Sequence, residues 1–262
     1  MADSAPIVVT GAAGQLGAVG RTVTGLLLDR GLPVRAMVRR EDDRAAGLRA
    51  AGAEVVIGDL LEPADVQPVL SGCRRVYFGM SVSAAYLEAT VNMAAVAREL
   101  GVDALVNMSQ MTVSQMSIQH TTKSHQQRQH WLGEQALAWS GLPVVTIRPT
   151  MFLESFFTFA GPTVRDRGRI ELPFGRGKTS PVAAVDVARV VAAVLAEPGP
   201  HLGRILRAHR SAVAGHARGC PGVLGGAEPR GHVLGHPRRG LGARADEGGL
   251  AGAPDPASAP RG

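Results

Sequence analysis

The segment IVVTGAAGQLG, residues 7–17, constrains the fold of this chain more than any other stretch. A short apolar run ends at three glycines spaced three residues apart, and an amphipathic pattern typical of a helix follows. Between a strand and a helix, the first glycine permits a tight turn, the second lets the backbone approach a pyrophosphate, and the third allows the helix to pack closely on the strand. The segment therefore predicts the first β-turn-α unit of a dinucleotide-binding fold; a glycine-rich turn without a ligand is the alternative. The predicted cofactor contacts here are Gly11, Gly14, Gln15, Leu16 and Gly17.

The second predicted strand, residues 33–40, indicates which dinucleotide is preferred. It ends in Arg39 and Arg40, and the first carboxylate, Glu41, comes only afterwards. A carboxylate at this strand end is typical of NAD sites, whereas an arginine accommodates the 2′-phosphate of NADP. We therefore predict NADPH as the preferred cofactor. The alternative is that the two arginines only solvate the end of the strand.

Further strands alternate with helical patterns along the first two thirds of the chain. The segments that read as strands are residues 53–60, 74–81, 103–109 and 142–149. Strands that alternate with helices predict a parallel, doubly wound sheet whose ligands bind beyond the carboxyl ends of the strands. By this reasoning Asp59 and Leu60 lie beside the adenine. Gly79, Met80 and Ser81 are expected near the nicotinamide ribose.

The formal net charge of +6 does not indicate a nucleic-acid partner. Residues 209–262 hold 7 arginines and 4 acidic residues, a net +3 and half of the total, and no basic cluster with interleaved aromatic residues precedes them. No apolar run approaches the roughly 18 residues of a spanning helix. The first residues lack the basic character of a signal peptide, and two cysteines suit a reducing compartment. We expect a cytoplasmic protein that binds neither nucleic acid nor membranes, with an oligomeric state that the sequence leaves open.

The composition changes abruptly near residue 208. Residues 209–262 contain 13 glycines and 6 prolines and show neither the period of a strand nor that of a helix. The segment is either a disordered, arginine-bearing tail or the product of a lost reading frame in a GC-rich gene, and we favour the second. In both cases we expect no stable fold in it. The predicted division is an NAD(P)-binding Rossmann domain at 1–150, a truncated substrate-side region at 151–208 and the aberrant tail at 209–262.

Four segments together resemble the NmrA-like branch of the atypical short-chain dehydrogenases/reductases. They read VVTGAAGQLG, GDL, GLPVVTIRPTMFLESF and PVAAVDVARVVAAVL, and the resemblance extends over roughly residues 6–206. Within this family, YFGMSVSAAYLEATVN and VNMSQMTVSQMSI are similar to the NAD(P)H azoreductase group. The resemblance implies a Rossmann-like domain with a smaller C-terminal substrate region, and NADPH binding. It also implies that Gly11, Gly14 and Gly17 line the pyrophosphate and that Arg39 meets the 2′-phosphate. The family continues past residues 203–205 into further helices and strands, where this chain runs into its tail.

The proton-transferring pair of ordinary short-chain dehydrogenases is missing. They use a tyrosine and a lysine four residues later, but Ser81 and Thr90 follow Tyr77 and Tyr86 at that spacing. This argues against alcohol–ketone interconversion and sugar epimerisation. It is compatible with a reductase of electron-poor acceptors, such as azo compounds or quinones, which needs mainly the correct placement of the acceptor. A redox-sensing regulator that binds NADP(H) without turnover is the alternative.

The segments after the predicted strands at 103–109 and 142–149 supply the acceptor-side candidates. Possible hydrogen-bond or proton donors are Ser109, Gln110 and His120, and possible contacts to a small aromatic acceptor are Met111, Met116 and Phe152. The methionines and the phenylalanine are equally compatible with core positions. In the helix that follows residue 124, Trp131, Leu132 and Leu137 are the predicted core face and the histidines are expected in solvent or at a pocket rim. His130 and Glu134 have metal-ligand spacing but no third ligand, so no metal is predicted.

Overall fold

A computed structural model of the protein describes residues 5–14, 18–172, 178–209, 214–215 and 232–237. The strands are β1 (Ile7–Val9), β2 (Val34–Val38), β3 (Glu54–Ile57), β4 (Arg75–Phe78), β5 (Ala104–Met108), β6 (Val144–Pro149), β7 (Lys178–Thr179), β8 (Arg204–His209), β9 (Ala214–Gly215) and β10 (His232–Pro237). The α-helices are α1 (Val19–Leu28), α2 (Asp43–Ala50), α3 (Pro63–Leu70), α4 (Tyr86–Glu99), α5 (His125–Trp139), α6 (Leu153–Arg167) and α7 (Ala184–Ala196). Short 3-10 helices span Met111–Gln115 and Gly199–His201.

The main sheet has the strand order β10-β8-β6-β5-β4-β1-β2-β3. Every neighbouring pair from β8 to β3 is parallel, and β10 runs antiparallel to β8 at the edge. Parallel neighbours require crossover connections, which the helices between the strands supply. This architecture confirms the predicted Rossmann-like, doubly wound parallel sheet.

The sheet is covered by helices on both faces, and β1 shows the division. Its side chains alternate, so that Ile7 and Val9 belong to one core and Val8 belongs to the other. The first core is formed with α1 and α7, which pack against each other, and the second with α3 and α4. All three residues are fully buried, because a central parallel strand has no face in contact with water.

Two arginines connect α7 to the first half of the chain. Arg75, at the start of β4, is buried and donates to the carbonyl oxygens of Leu195 and Ala196 at 3.1 and 3.2 Å. Arg30 donates to the carbonyl oxygen of Ala192 at 3.2 Å. The last carbonyls of a helix have no partner within it and carry a partial negative charge, which these guanidinium groups satisfy. The residues of α7 are therefore packed on the main sheet.

The predicted core face of α5 is wrong. Leu137 is buried as expected, but Trp131 is only partly buried and Leu132 is 38% exposed. The buried residues of this helix are Gln129, His130, Gly133, Glu134 and Leu137. The expectation that the histidines lie in solvent or at a rim is confirmed for the exposed His120 and His125 and wrong for His130. Polar side chains face inward here because Glu134 has a buried cationic partner, described below.

The tail predicted from residue 209 is described in only two short segments beyond β8, and both are strands. β9 pairs with β7, and β10 pairs with β8 over the register His232–Pro237 against Arg204–His209. The remaining tail residues lie outside the described part of the chain. The expectation for them, their reading-frame origin and the domain boundaries at 150 and 208 stay predictions. Within the described ranges, the helices lack the combination of length and apolar character that crossing a bilayer requires.

Candidate cofactor and acceptor site

The strand order reverses between β1 and β4. β2 and β3 lie beyond β1 on one side, and β5 and β6 lie beyond β4 on the other. In open α/β sheets the ligand crevice lies beyond the carboxyl ends of the strands at this reversal. The residues that follow the two strands there are the glycine-rich loop and the segment 79–81, so the structure brings these two sets of predicted cofactor contacts together.

The loops after β1 and β4 touch each other at Thr10, Gly11 and Gly79. The Thr10 hydroxyl donates to the carbonyl oxygen of Gly79 at 3.0 Å, and the Gly79 N–H donates to the same hydroxyl at 2.9 Å. Gly11 has a φ of +68°, and a Cβ there would lie 2.4 Å from the Gly79 carbonyl oxygen. Only glycine fits this conformation and this space. The first glycine of the motif therefore sets the distance between the two loops.

The glycine that packs α1 against the loop is Gly20. A Cβ at Gly20 would lie 2.7 Å from the carbonyl oxygen of Gly11, and one at Gly14 would lie 3.0 Å from the same atom. This is the packing role that the spacing assigns to Gly17. Gly17 and the two other predicted contacts, Gln15 and Leu16, lie outside the described residues. Sequence reasoning missed Gly20, whose signal was a glycine at the second residue of the helix, on its buried side.

The start of α1 fits an anionic ligand. Ala18 precedes the helix with a φ of +46°, and no side chain caps the first turn among the described residues. Side chains other than glycine adopt this left-handed conformation rarely, so the turn is held by its surroundings. The first N–H groups of a helix have no partner within it, and the neighbouring glycines leave the backbone uncovered. Such N–H groups are suited to binding a pyrophosphate.

Of the three carboxylates that follow β2, Glu41, Asp42 and Asp43, the first two are engaged by arginines of α2. Glu41 forms a bidentate ion pair with Arg49, and Asp42 caps α2 and pairs with Arg44. Hydrogen bonds from these arginines are the main cause that lowers the pKa of Glu41 and of Asp42. Both acids are therefore ionised and occupied.

The arginines that precede these acids are free of such pairing. Arg39 and Arg40 are exposed and make no ion pair or side-chain hydrogen bond with the described residues. Arg44 reaches from α2 to the glycine-rich loop, where it donates to the carbonyl oxygen of Ala13 at 2.9 Å. The loop end of β2 is thus lined by guanidinium groups, of which sequence reasoning named Arg39 and Arg40 and missed Arg44.

The segment after β3, predicted to lie beside the adenine, is a braced turn. The Asp59 carboxylate accepts from the N–H of Leu61 at 3.1 Å, and the Asp59 N–H donates to Asp65 at 2.9 Å. Asn92 of α4 donates to the carbonyl oxygens of Leu60 and Leu61 at 3.2 and 2.9 Å. The backbone at Asp59 and Leu60 is therefore held in place at the carboxyl end of β3. After β4, Gly79 is buried, Met80 is partly buried and Ser81 is exposed.

A buried polar network lies beneath the acceptor side of the crevice. The Ser109 hydroxyl, just past β5, donates to Glu134 of α5. Arg148 of β6 donates to both oxygens of Glu134, with Nε at 2.9 Å, and to the hydroxyl of Ser114 at 3.1 Å. The Glu134 side chain is 3% exposed and that of Arg148 is 12% exposed. The Ser109 hydroxyl proton is thus engaged in the hydrogen bond to Glu134. Sequence reasoning named Ser109 but missed its contact with Glu134, and it missed Arg148, which binds Glu134.

The second tyrosine and the buried histidine stack beside this network. Tyr86 and His130 meet edge to face with ring centroids 5.0 Å apart, and the Tyr86 hydroxyl donates to the carbonyl oxygen of Met108 at 3.3 Å. Burial, and secondarily the charge of Glu134, raises the pKa of Tyr86. Burial alone lowers the pKa of His130 to about 4. At neutral pH His130 is therefore uncharged, and the Tyr86 hydroxyl keeps its proton in the bond to Met108.

The remaining residues that were predicted to contact an acceptor lie in different places. Met116 and His120 line a cavity of about 310 Å³ between the 3-10 helix and α5, together with Thr112, Gln115, Thr121, Thr122 and Gln127. Met111 is partly buried and its sulfur accepts from Ser114 at 3.8 Å. Phe152 packs against the core shared with α1 and α7, which agrees with the core alternative for this residue. Gln110 is partly buried, and its side-chain nitrogen has no partner among the described residues.

The described ranges contain no group of three or more histidine, cysteine or acidic side chains that could hold a metal ion. The one pair with suitable spacing, His130 and Glu134, is occupied otherwise. Glu134 binds Arg148 and Ser109, and His130 packs on Tyr86.

Comparison with known proteins agrees with the cofactor crevice. Residues 11–198 match the model of a family described as NAD(P)H-binding. The chain belongs to this NAD(P)H-binding family. It is 29% identical over 188 residues to an NAD(P)H azoreductase of Xenophilus azovorans, a match that covers 71% of this chain and 63% of the relative. This confirms the resemblance to azoreductases. It is 34% identical over 198 residues to a (4-alkanoyl-5-oxo-2,5-dihydrofuran-3-yl)methyl phosphate reductase of Streptomyces griseus, over 76% of this chain and 65% of that relative.

The chain spans less than two thirds of the length of both relatives. Among solved structures, it is similar to a triphenylmethane reductase of Citrobacter complexed with NADP(H), with a TM-score of 0.69 and 22% identity over 80% of this chain and 72% of the other. An NADPH-dependent quinone oxidoreductase of Escherichia coli, complexed with NADPH, has a TM-score of 0.69 and 23% identity over 80% and 71%. At these identities the similarity shows the shared fold.

We predict opposite effects for two glycine-to-alanine substitutions on α1. Gly20→Ala places a Cβ against the Gly11 carbonyl, so it should destabilise the protein by about 1–3 kcal/mol and weaken NADPH binding. Gly25→Ala meets nothing within 4 Å and should stabilise the helix by about 0.5–1 kcal/mol with unchanged binding. Urea unfolding and titration with NADPH check both. Equal effects of the two substitutions would contradict the assigned role of Gly20.

The buried histidine predicts a loss of stability in weak acid. The unfolded state takes up a proton on His130 below about pH 6.5, whereas the folded state does so only near pH 4, so stability falls as the pH is lowered through this window. Between pH 7.5 and pH 5 this should cost about 2 kcal/mol. Urea unfolding at both pH values should show a smaller loss for His130→Gln than for the wild type. The control variant His120→Gln keeps the buried ring of His130, so its free energy of unfolding should fall as much as that of the wild type. The same loss of stability in all three proteins would refute the prediction.

Proposed function

We propose that the protein is an NADPH-dependent oxidoreductase that transfers hydride to an electron-poor acceptor such as an azo compound or a quinone. The observation that carries this proposal is the state of the two tyrosines close to the crevice formed by the loops after β1 and β4. Tyr77 and Tyr86 are both buried in the core, and burial raises the pKa of each. Neither can act as the acid that ordinary short-chain dehydrogenases apply to a carbonyl oxygen. The acceptor must therefore be one that takes up hydride without such an acid.

The proposed reaction balances with solvent as the proton source. The cofactor supplies two electrons as a hydride when it is bound. A quinone that receives this hydride and one proton becomes a hydroquinone, and an azo group becomes a hydrazine in the same way. Hydride transfer to a quinone gives a hydroquinone anion, and hydride transfer to an azo group gives a hydrazide anion. The electron-poor ring system stabilises either anion. The protein then has to hold the acceptor over the nicotinamide, with the reacting atom of the acceptor about 3–3.5 Å from the reacting carbon of the cofactor. It also has to exclude other orientations of the acceptor.

Gln110 is the best-placed candidate to orient the acceptor. It lies two residues past β5, at the carboxyl end of the sheet, and its amide nitrogen has no partner among the described residues. Ser109 is committed to Glu134, so its role in this proposal is to position the loop. Met116 and His120 line the neighbouring cavity, where a methionine offers an adaptable surface to a flat aromatic acceptor.

The preference for NADPH over NADH is part of the same proposal. Binding of NADH would be favoured by a free carboxylate for the ribose 2′-hydroxyl. The two carboxylates nearest to β2, Glu41 and Asp42, are paired with Arg49 and Arg44, whereas Asp43, the first residue of α2, makes no ion pair among the described residues. Arg39 and Arg40 remain available for a 2′-phosphate. A cytoplasmic location is also proposed, and the free, buried thiol of Cys73 supports it.

The decisive experiment follows NADPH oxidation by the purified 262-residue chain, with and without a soluble azo dye or 1,4-naphthoquinone. Acceptor loss that depends on both NADPH and protein would support the reductase. The proposal would be refuted if NADPH protected the protein against thermal unfolding but the protein did not accelerate the reduction of either acceptor. That outcome would favour the alternative of a redox-sensing regulator that binds NADP(H) without turnover.

We expect Arg39→Ala to separate the two cofactors. The substitution should raise the dissociation constant for NADPH about tenfold or more, the size of a lost hydrogen bond to a charged group, and change that for NADH less than twofold. Isothermal titration with each nucleotide measures both values. Arg98→Ala, an exposed arginine in the last turn of α4, is the matched control and should change neither. Equal losses for NADPH and NADH would disprove the assignment of Arg39 to the 2′-phosphate.

A further inference from the structure

We infer that the hydroxyl of Tyr77 is a cofactor contact, which donates a hydrogen bond to a hydroxyl oxygen of the nicotinamide ribose. The inference rests on the cofactor binding that the proposed function includes, and it does not depend on the acceptor. Tyr77 is the third residue of β4, whose loop meets the glycine-rich loop where the strand order reverses. Its side chain is 2% exposed and belongs to the core formed with α1 and α7.

The ring of Tyr77 lies in the space that a side chain at Gly79 would fill. Residues two apart on a strand point to the same face of a sheet. A Cβ at Gly79 would lie 2.7 Å from both Cε1 and the hydroxyl oxygen of Tyr77. Because the glycine leaves this space open, the ring extends along the strand toward its carboxyl end. The hydroxyl therefore lies beside the same backbone that contacts Gly11 in the crevice.

The hydroxyl of Tyr77 makes no hydrogen bond with the described residues. A buried tyrosine hydroxyl usually has a partner, because an unpaired polar group away from water is costly. The other tyrosine follows this rule, since the Tyr86 hydroxyl donates to the carbonyl oxygen of Met108 at 3.3 Å. A ligand that lies against the loop after β4 would supply the partner that Tyr77 lacks.

The backbone groups next to this hydroxyl are already used. The Thr10 hydroxyl accepts from the N–H of Gly79 and donates to the carbonyl oxygen of Gly79. Burial raises the pKa of Tyr77, so its hydroxyl keeps the proton and can donate it in a hydrogen bond at neutral pH. At this point of the crevice Tyr77 thus offers a neutral donor, which suits a sugar hydroxyl oxygen.

The place of Tyr77 in the sheet assigns it to the nicotinamide half of the cofactor. The loop end of β2 fits the 2′-phosphate, and the start of α1, which follows β1, fits the pyrophosphate. A dinucleotide lies across the reversal of the strand order, so it continues from β1 to β4. The group that follows the pyrophosphate in this direction is the nicotinamide ribose.

Replacement of Tyr77 by phenylalanine tests the inference without turnover. Tyr77→Phe keeps the ring and removes only the hydroxyl, so it should raise the dissociation constants of NADPH and NADH about fivefold, the size of a lost neutral hydrogen bond. The dissociation constant of adenosine 2′,5′-bisphosphate should change less than twofold, because this ligand lacks the nicotinamide half. Isothermal titration with each ligand measures the three values.

The matched control is Tyr86→Phe, which removes a hydroxyl that has a partner within the protein. It should lower the midpoint of urea unfolding and leave the binding of all three ligands unchanged. Tyr77→Phe should leave that midpoint unchanged or raise it, because no hydrogen bond with the described residues is lost. The two substitutions therefore have opposite expected effects on stability and on binding.

Three results would overturn the inference. They are an unchanged affinity of Tyr77→Phe for NADPH, an equal loss of affinity for NADPH and for the bisphosphate in that variant, and the same loss for NADPH in Tyr86→Phe.

The outcomes separate this inference from the proposed function. Selective weakening of NADPH in Tyr77→Phe, without reduction of any acceptor by the wild type, would support the contact and contradict the reductase. Acceptor reduction by the wild type, with the same affinity for NADPH in Tyr77→Phe, would support the reductase and refute the contact.

Discussion

The close approach of Gly11 to Gly79 is the constraint on which the rest of the crevice depends. Because a Cβ at Gly11 would meet the Gly79 carbonyl at 2.4 Å, the loops after β1 and β4 can touch only as backbone. The hydroxyl of Thr10 then holds them through two hydrogen bonds. Gly20 extends the same contact to α1, whose first turn is thereby aimed at the crevice. A dinucleotide needs bare backbone at this place, and the packing requires the same residues that the ligand does.

The buried pair of Glu134 and Arg148 takes up the space below the acceptor side. Removing one partner of such a pair typically costs about 3–5 kcal/mol, because the other charge is left buried alone. The pair determines which side of α5 faces inward, and with it the burial of His130 against Tyr86. It also withdraws Ser109 from proton transfer. The side chains of Tyr86, His130 and Ser109 could in principle transfer protons, but each of them makes a contact that holds the structure together.

The sequence predicted those parts of the fold and site that depend on local geometry. The glycines after β1, the arginines after β2 and the alternation of strands with helices are each visible within a few residues, and the parallel sheet follows from them. The inward face of α5 was mispredicted because hydrophobic periodicity identified Trp131 and Leu132, whereas the helix is oriented by an ion pair to Arg148, 14 residues beyond Glu134. Gly20 was missed because its contact is a packing distance to the Gly11 carbonyl, which leaves no mark in the spacing of the motif.

The missing proton donor has a chemical consequence for the acceptor. An acceptor that receives hydride without an acid must carry the resulting negative charge in its own π-system until solvent protonates it. Electron-withdrawing substituents on an aromatic ring make this possible. Under the proposed function, selection in this crevice would therefore rest on the electron affinity of the acceptor, with its shape left to the adaptable side chains around Met116.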